Sequence, residues 1–96
     1  MDMKFQWDAN KNRANLLKHG IAFESVTVLF ERDLPLLVEY DDKEEYGEDR
    51  WIGIGLLRNH LIVIVFTEPF PDITRIISAR KADQNEQQRY FNTFRN

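Results

Sequence analysis

The amino-acid sequence predicts an α+β domain, with helices packed on a mainly antiparallel sheet in the order β-α-α-β-β-β-β-α. Three observations carry this. A short alternating segment is followed by two helix-like segments with start and stop signals. Four β-branched, apolar runs then succeed one another through residues 36–80. A capping-box pattern at Asp83 and Glu86 opens a final amphipathic segment. The 96 residues leave room for a single domain, taken as 1–96.

Lys4-Phe5-Gln6-Trp7 alternates polar and apolar, the pattern of a short half-buried strand. Asp8 is placed to cap a helix over residues 9–19, and Gly20 supplies the left-handed residue that ends it. Lys18 and His19 fall in the last turn, where cations complement the helix dipole, and Ile21 is set to pack back over it. Phe23, Val26, Leu29 and Phe30 recur at helical spacing, which predicts a second helix over 23–30. Val26-Thr27-Val28 dilutes that pattern, and a strand competes there. Strands are predicted at about 36–40, 50–57, 61–67 and 73–80. Arg58-Asn59-His60 joins the middle pair as a hairpin, and Pro69-Phe70-Pro71-Asp72 reads as a connection because proline cannot donate to a ladder. Tyr90, Phe91 and Phe94 give the last helix an apolar face, while Trp7 and Trp51 are assigned to the core. Gly53-Ile54-Gly55 reads as strand, its glycines letting a helix pack close.

The absence of cysteine excludes a thiol nucleophile, a disulfide framework and cysteine-based metal sites, and fits a cytoplasmic location. Two histidines, at 19 and 60, without metal-ligand spacing give no reason to expect a metal or any cofactor. The longest apolar run, residues 61–66, is too short to span a bilayer, and the N-terminus lacks the layout of a signal peptide, so no membrane role is expected. The net charge of −3 is unevenly distributed: residues 41–49 hold six acids and one base. Setting them aside leaves ten acids against twelve bases, a slightly positive remainder.

The most informative stretch is Arg75-Ile76-Ile77-Ser78-Ala79-Arg80-Lys81-Ala82. A strand that ends by delivering guanidinium and ammonium groups can grip phosphate in fixed geometry; the alternative is a strand flanked by solvated charges. On a regular strand Arg75 faces with Ile73 and Ile77 while Arg80 faces with Ser78, so both reach one site only if the strand twists or ends between them. Arg75 could instead bridge to Glu68.

The chain resembles the BrnT family of toxins. The resemblance rests on Phe5-x-Trp7-Asp8-x-Asn10-Lys11-x-Arg13-x-Asn15-x-x-Lys18-His19-Gly20-Ile21-x-Phe23-Glu24 and on Glu48-Asp49-Arg50-Trp51-Ile52-Gly53-Ile54-Gly55. It continues through Thr67-Glu68 and the block from Arg75 to Ala82, then Glu86 and Tyr90. It implies a RelE-like fold, metal-independent endoribonuclease activity that inhibits translation, and neutralisation by a BrnA-type antitoxin. DNA would be met only indirectly, through that antitoxin. The chain departs from the family pattern at Ala22, where Ser or Thr is usual, and at Asp83, which replaces Thr. Its acidic segment 41–49 and its Gln87-Gln88 pair also differ, and they favour an alternative reading, a weakly active partner-binding module.

Metal-independent RNA cleavage needs a base for the 2′-hydroxyl, cations for the phosphorane and an acid for the leaving oxygen. Arg75 and Arg80 are the candidates to hold the phosphate, with Arg50 and Lys81 as auxiliary cations. His19 is the best titratable group, or else a helix-terminal histidine bonding a carbonyl; Glu68 is a candidate base or an orienter of Arg75. Lys11, Asn15 and Lys18 share one helix face that binds RNA, binds an acidic antitoxin or is simply solvated. Tyr90 is a candidate acid or stacking group, although its spacing favours core packing. A basic face of Lys11, Lys18, Arg80 and Lys81 is expected to lie away from the acidic segment.

Overall fold

The computed structural model describes every residue except 1, 2, 33, 34, 43, 44, 46 and 96. The chain runs β1 (Lys4–Gln6), α1 (Ala9–His19), α2 (Phe23–Val26), α3 (Val28–Glu31), β2 (Leu36–Asp41), β3 (Arg50–Leu57), β4 (His60–Phe70), β5 (Ile73–Lys81) and α4 (Gln84–Phe94). Among the described residues these strands form one sheet in the order β1-β5-β4-β3-β2, antiparallel throughout except that β1 runs parallel to β5. The α+β class is as the sequence predicts, and so is the element order except that three helices rather than two precede β2.

The caps explain why the helices begin and end where they do. Asp8 accepts from the amides of Asn10 and Lys11, and Gly20 closes α1 at φ 72°. Asp83 and Glu86 form a reciprocal capping box at α4. Ala22 offers no side-chain cap, yet the Phe23 amide is not orphaned. It donates to Asn12 Oδ1 at 2.8 Å, so α1 caps α2 from outside. The second predicted helix is divided at Thr27 into two one-turn pieces, α2 and α3, rather than replaced by a strand.

Two apolar clusters sandwich the sheet. On one face Ile62, Ile64, Phe66, Ile76 and Ala79 meet Phe23, Val26 and Leu29 from α2 and α3, with Trp7 and Trp51 packed at the margin. On the other, Ile54, Leu61 and Val63 meet Ala82 and Tyr90 under α4. A Cβ on Gly55 would stand 3.0 Å from Leu36 Cδ1 and 3.3 Å from Leu29 Cδ2, so this glycine does let α3 approach.

Two boundaries and one strand register differ from the sequence reading. The β3–β4 hairpin turns on Arg58 and Asn59 alone, with Arg58 at φ 57°, and His60 already pairs with Leu57. β4 does not stop at Thr67 but continues through Pro69 to Phe70. The register shifts between Thr67 and Phe70, and that irregularity is where a residue without an amide hydrogen fits a ladder. The third is a second shift, in β5. Phe66 pairs with Ile76 while Val65 pairs with Ser78, leaving Ile77 as an extra residue, a β-bulge.

Candidate functional site

The bulge at Ile77 decides the geometry of the arginine strand. Strand parity alone would send Arg75 and Arg80 to opposite faces. The inserted residue resets the alternation, so Arg75 lies opposite Thr67, Ser78 opposite Val65 and Arg80 opposite Val63. Those three β4 residues alternate along one strand, with Val63 under α4, so all three β5 residues share the α4 face. Arg75 and Arg80 are therefore brought to one face by a local insertion.

Register extends this face into a polar row. Gln6 lies opposite Arg75, and Arg50, one residue beyond the Trp51–Phe66 pair, is level with Thr67 and opposite Asp41. Gln6, Arg75, Thr67, Arg50 and Asp41 thus cross all five strands beside the end of the apolar patch that α4 covers. Arg75 Nε donates to Gln6 Oε1 at 2.8 Å, which fixes the guanidinium plane and leaves both terminal nitrogens without a partner among the described residues. Thr67 is 2% exposed, and its Oγ1 has no hydrogen-bond partner among the described residues. A hollow of about 300 Å³ opens beside it, lined by Glu48, Asp49, Trp51, Thr67, Glu68 and Pro69. Gln6 and Thr67 were not singled out from the sequence. Their signal was cross-strand register with Arg75, which no local pattern reveals.

Arg80 has a different environment. Its Nη1 and Nη2 meet Glu86 Oε1 and Oε2 at 2.8 and 2.7 Å, a bidentate pair. Glu86 Oε1 also accepts the Asp83 amide, so the same carboxylate closes the α4 cap. The Arg80 hydrogen bonds hold the Glu86 carboxyl down at about 2. Arg80 is a brace between β5 and α4.

The remaining candidates scatter. The expected Arg75–Glu68 bridge does not form: Arg75 turns to Gln6, and Glu68 is exposed. No hydrogen bond or ion pair joins His19 or Glu68 to Arg75 among the described residues. Asn15 does not share a solvent face with Lys11 and Lys18. Its amide is buried, donating to the Ile21 and Ala79 carbonyls and accepting the Ala79 amide at 3.1 Å. Lys11 and Lys18 are exposed, as is Lys81 at the end of β5. Tyr90 is a core residue, its ring under α4 and its hydroxyl donating to the Pro35 carbonyl at 3.2 Å, so it presents no stacking surface. The acidic segment is not clear of the Arg80 side. Asp41 and Asp42 line a hollow of about 540 Å³ with Asp83, Glu86 and Arg89. Lys43, Glu44 and Tyr46 lie outside the described residues. No group of three His, Asp or Glu among the described residues is arranged to hold a metal ion, and no helix is long and apolar enough to cross a membrane.

The five-stranded, mostly antiparallel sheet flanked by helices is consistent with the RelE-like fold expected from the sequence. Comparison with known proteins defines the class: residues 7–86 match the family model described as the ribonuclease toxin, BrnT, of type II toxin–antitoxin systems. The chain belongs to the BrnT family. Its fold matches the crystal structure of the Brucella abortus ribonuclease toxin, BrnT, with a TM-score of 0.64 and 26% sequence identity. That match covers 85% of this chain and 99% of the Brucella chain. Among curated proteins none matches.

Proposed function

We propose that the chain is a cytoplasmic, metal-independent endoribonuclease toxin that cleaves RNA, inhibits translation and is held in check by a BrnA-type antitoxin. Its RNA site would be the Gln6–Arg75–Thr67–Arg50 row. The observation that carries this reading is the oriented Arg75 guanidinium, held at Nε with its terminal nitrogens open, on a face where Arg50 adds a second cation. Such a fork grips a phosphate and stabilises charge as it develops on the phosphorane. Thr67 Oγ1, without a partner among the described residues, adds a donor beside it. Glu68, the next residue on β4, is the candidate base for the 2′-hydroxyl. Arg80 acts through Glu86 rather than on the substrate.

The test is cleavage of a labelled RNA by purified protein with the product ends identified. Activity is expected to survive EDTA and to leave 2′,3′-cyclic phosphate or 3′-phosphate ends. Loss of activity to chelation with recovery in Mg²⁺ would put the chemistry in another class. Gln6→Leu, which keeps the bulk and removes the acceptor, is expected to lower cleavage about tenfold without moving the thermal midpoint. Unchanged kcat in that variant would mean that Arg75 needs no orienter.

A second reading keeps the fold and the partner but little cleavage. It is favoured by the acid-rich hollows on either side of the row, lined by Glu48, Asp49 and Glu68 and by Asp41, Asp42 and Asp83, which oppose a polyanion. Inducing the protein alone in a bacterial host separates the two: growth arrest with loss of bulk mRNA supports the enzyme.

A further inference from the structure

Helix α1 is amphipathic in the wrong sense for a lone domain. Its inward stripe is Asn12, Asn15 and His19, with Asn12 bonded to the Phe23 amide and Asn15 to both backbone groups of Ala79. β1 pairs with β5 only as far as Arg75, so Asn15 substitutes for the missing strand along the outer edge of β5. The apolar side chains are on the outside: Leu17 is 83% exposed and Leu16 48% exposed. Each residue of a helix turns about 100°, which sets Leu17 nearly opposite the amide stripe. Arg13 lies one turn before both leucines and is exposed. The helix also carries Lys11 and Lys18 and no acidic residue. None of its three cations forms an ion pair among the described residues.

We infer that this leucine-bearing cationic face of α1 is the docking surface for an acidic, amphipathic segment of the antitoxin, an inference that rests on the toxin reading above. A hollow of about 400 Å³ beside Leu16, lined by Trp7, Ala9, Asn12, Arg13 and Glu24, receives an apolar side chain from that segment. Its one carboxylate, Glu24, is already engaged by Asn12 Nδ2 at 2.7 Å. The chemistry selects the occupant. An RNA backbone gains from the cations but has no use for two exposed leucines. A second copy, docking by two-fold symmetry, would set a cationic helix against itself. A segment with leucine-like side chains flanked by carboxylates satisfies both features at once. The surface belongs to α1 at the edge of β5, whereas Arg75 belongs to the α4 face, so the antitoxin's grip and the RNA site are separable.

The experiment titrates the purified toxin with the antitoxin encoded in the same operon, alongside RNA cleavage by the free toxin. Leu16→Gln/Leu17→Gln replaces exposed side chains with good helix formers and is expected to fold normally. Its antitoxin Kd is expected to weaken at least about tenfold, with RNA cleavage and thermal midpoint unchanged. Arg13→Glu is expected to slow association about tenfold at low salt, an effect that fades as salt rises. A double variant within about twofold of wild-type Kd overturns the inference, as does one that loses RNA cleavage in proportion. A leucine-dependent dimer with unaltered antitoxin binding overturns it in favour of a second copy. Leucine-dependent antitoxin binding by a protein that cleaves no RNA supports the docking surface while defeating the ribonuclease reading.

Discussion

Arg75→Ala is expected to reduce RNA cleavage about a hundredfold while the protein stays folded, because under the proposed reading it removes an oriented donor pair that would face the developing charge. The side chain is half-buried, and its only hydrogen bond among the described residues is to Gln6. Little stability is therefore at stake. Arg75→Lys keeps the charge but loses both the planar fork and the Nε–Gln6 bond, and is expected to recover only part of the rate. Single-turnover cleavage measured beside a thermal melt separates chemistry from folding. Wild-type rates in Arg75→Ala would remove the row from the reaction altogether.

The capping chemistry was legible because it is local. Asp8, Gly20, Asp83 and Glu86 act on residues within a turn of themselves, and each does what its spacing announces. The strands were legible as β-branched runs. Which face Arg75 and Arg80 share was not legible, since it hangs on one inserted residue, Ile77, whose sequence context is indistinguishable from ordinary strand. Pro69 misled for the opposite reason: a strong local breaker was absorbed by a register shift. Asn15 misled too. Spacing placed Asn15 with two lysines on a solvent face, but its amide replaces a strand that ends early, and Asn12 supplies the cap that Ala22 lacks. Long-range partners of this kind, 64 residues apart in the case of Asn15 and Ala79, leave no trace in a window.

The Arg80–Glu86 pair carries the second large effect, and it separates a brace from a catalytic group. Glu86 is 6% exposed, accepts two guanidinium bonds and the Asp83 amide, and has its carboxyl lowered from 4.5 to about 2. A carboxyl lowered on folding contributes stability that is complete above its unfolded value. That contribution is lost as the pH falls from about 5 toward 2. Arg80 is about a third exposed, so solvent screening reduces the contribution to about 2 kcal/mol at neutral pH. Glu86→Ala also opens the capping box, and the combined loss of about 3 kcal/mol is expected to lower Tm by roughly 10–20 °C. Glu86→Gln should destabilise by less, and urea titrations should show its deficit shrinking as the pH drops from 7 to 2.5. A deficit that stays constant with pH would mean that the charge on Glu86 contributes nothing. Arg80→Ala leaves Glu86 buried without its cation and is expected to cost stability comparably. Assayed at a temperature where that variant remains folded, its RNA cleavage should fall less than tenfold, against about a hundredfold for Arg75→Ala. Equal losses in the two would place Arg80 on the phosphate, and Glu86 would then have to release it each time RNA binds.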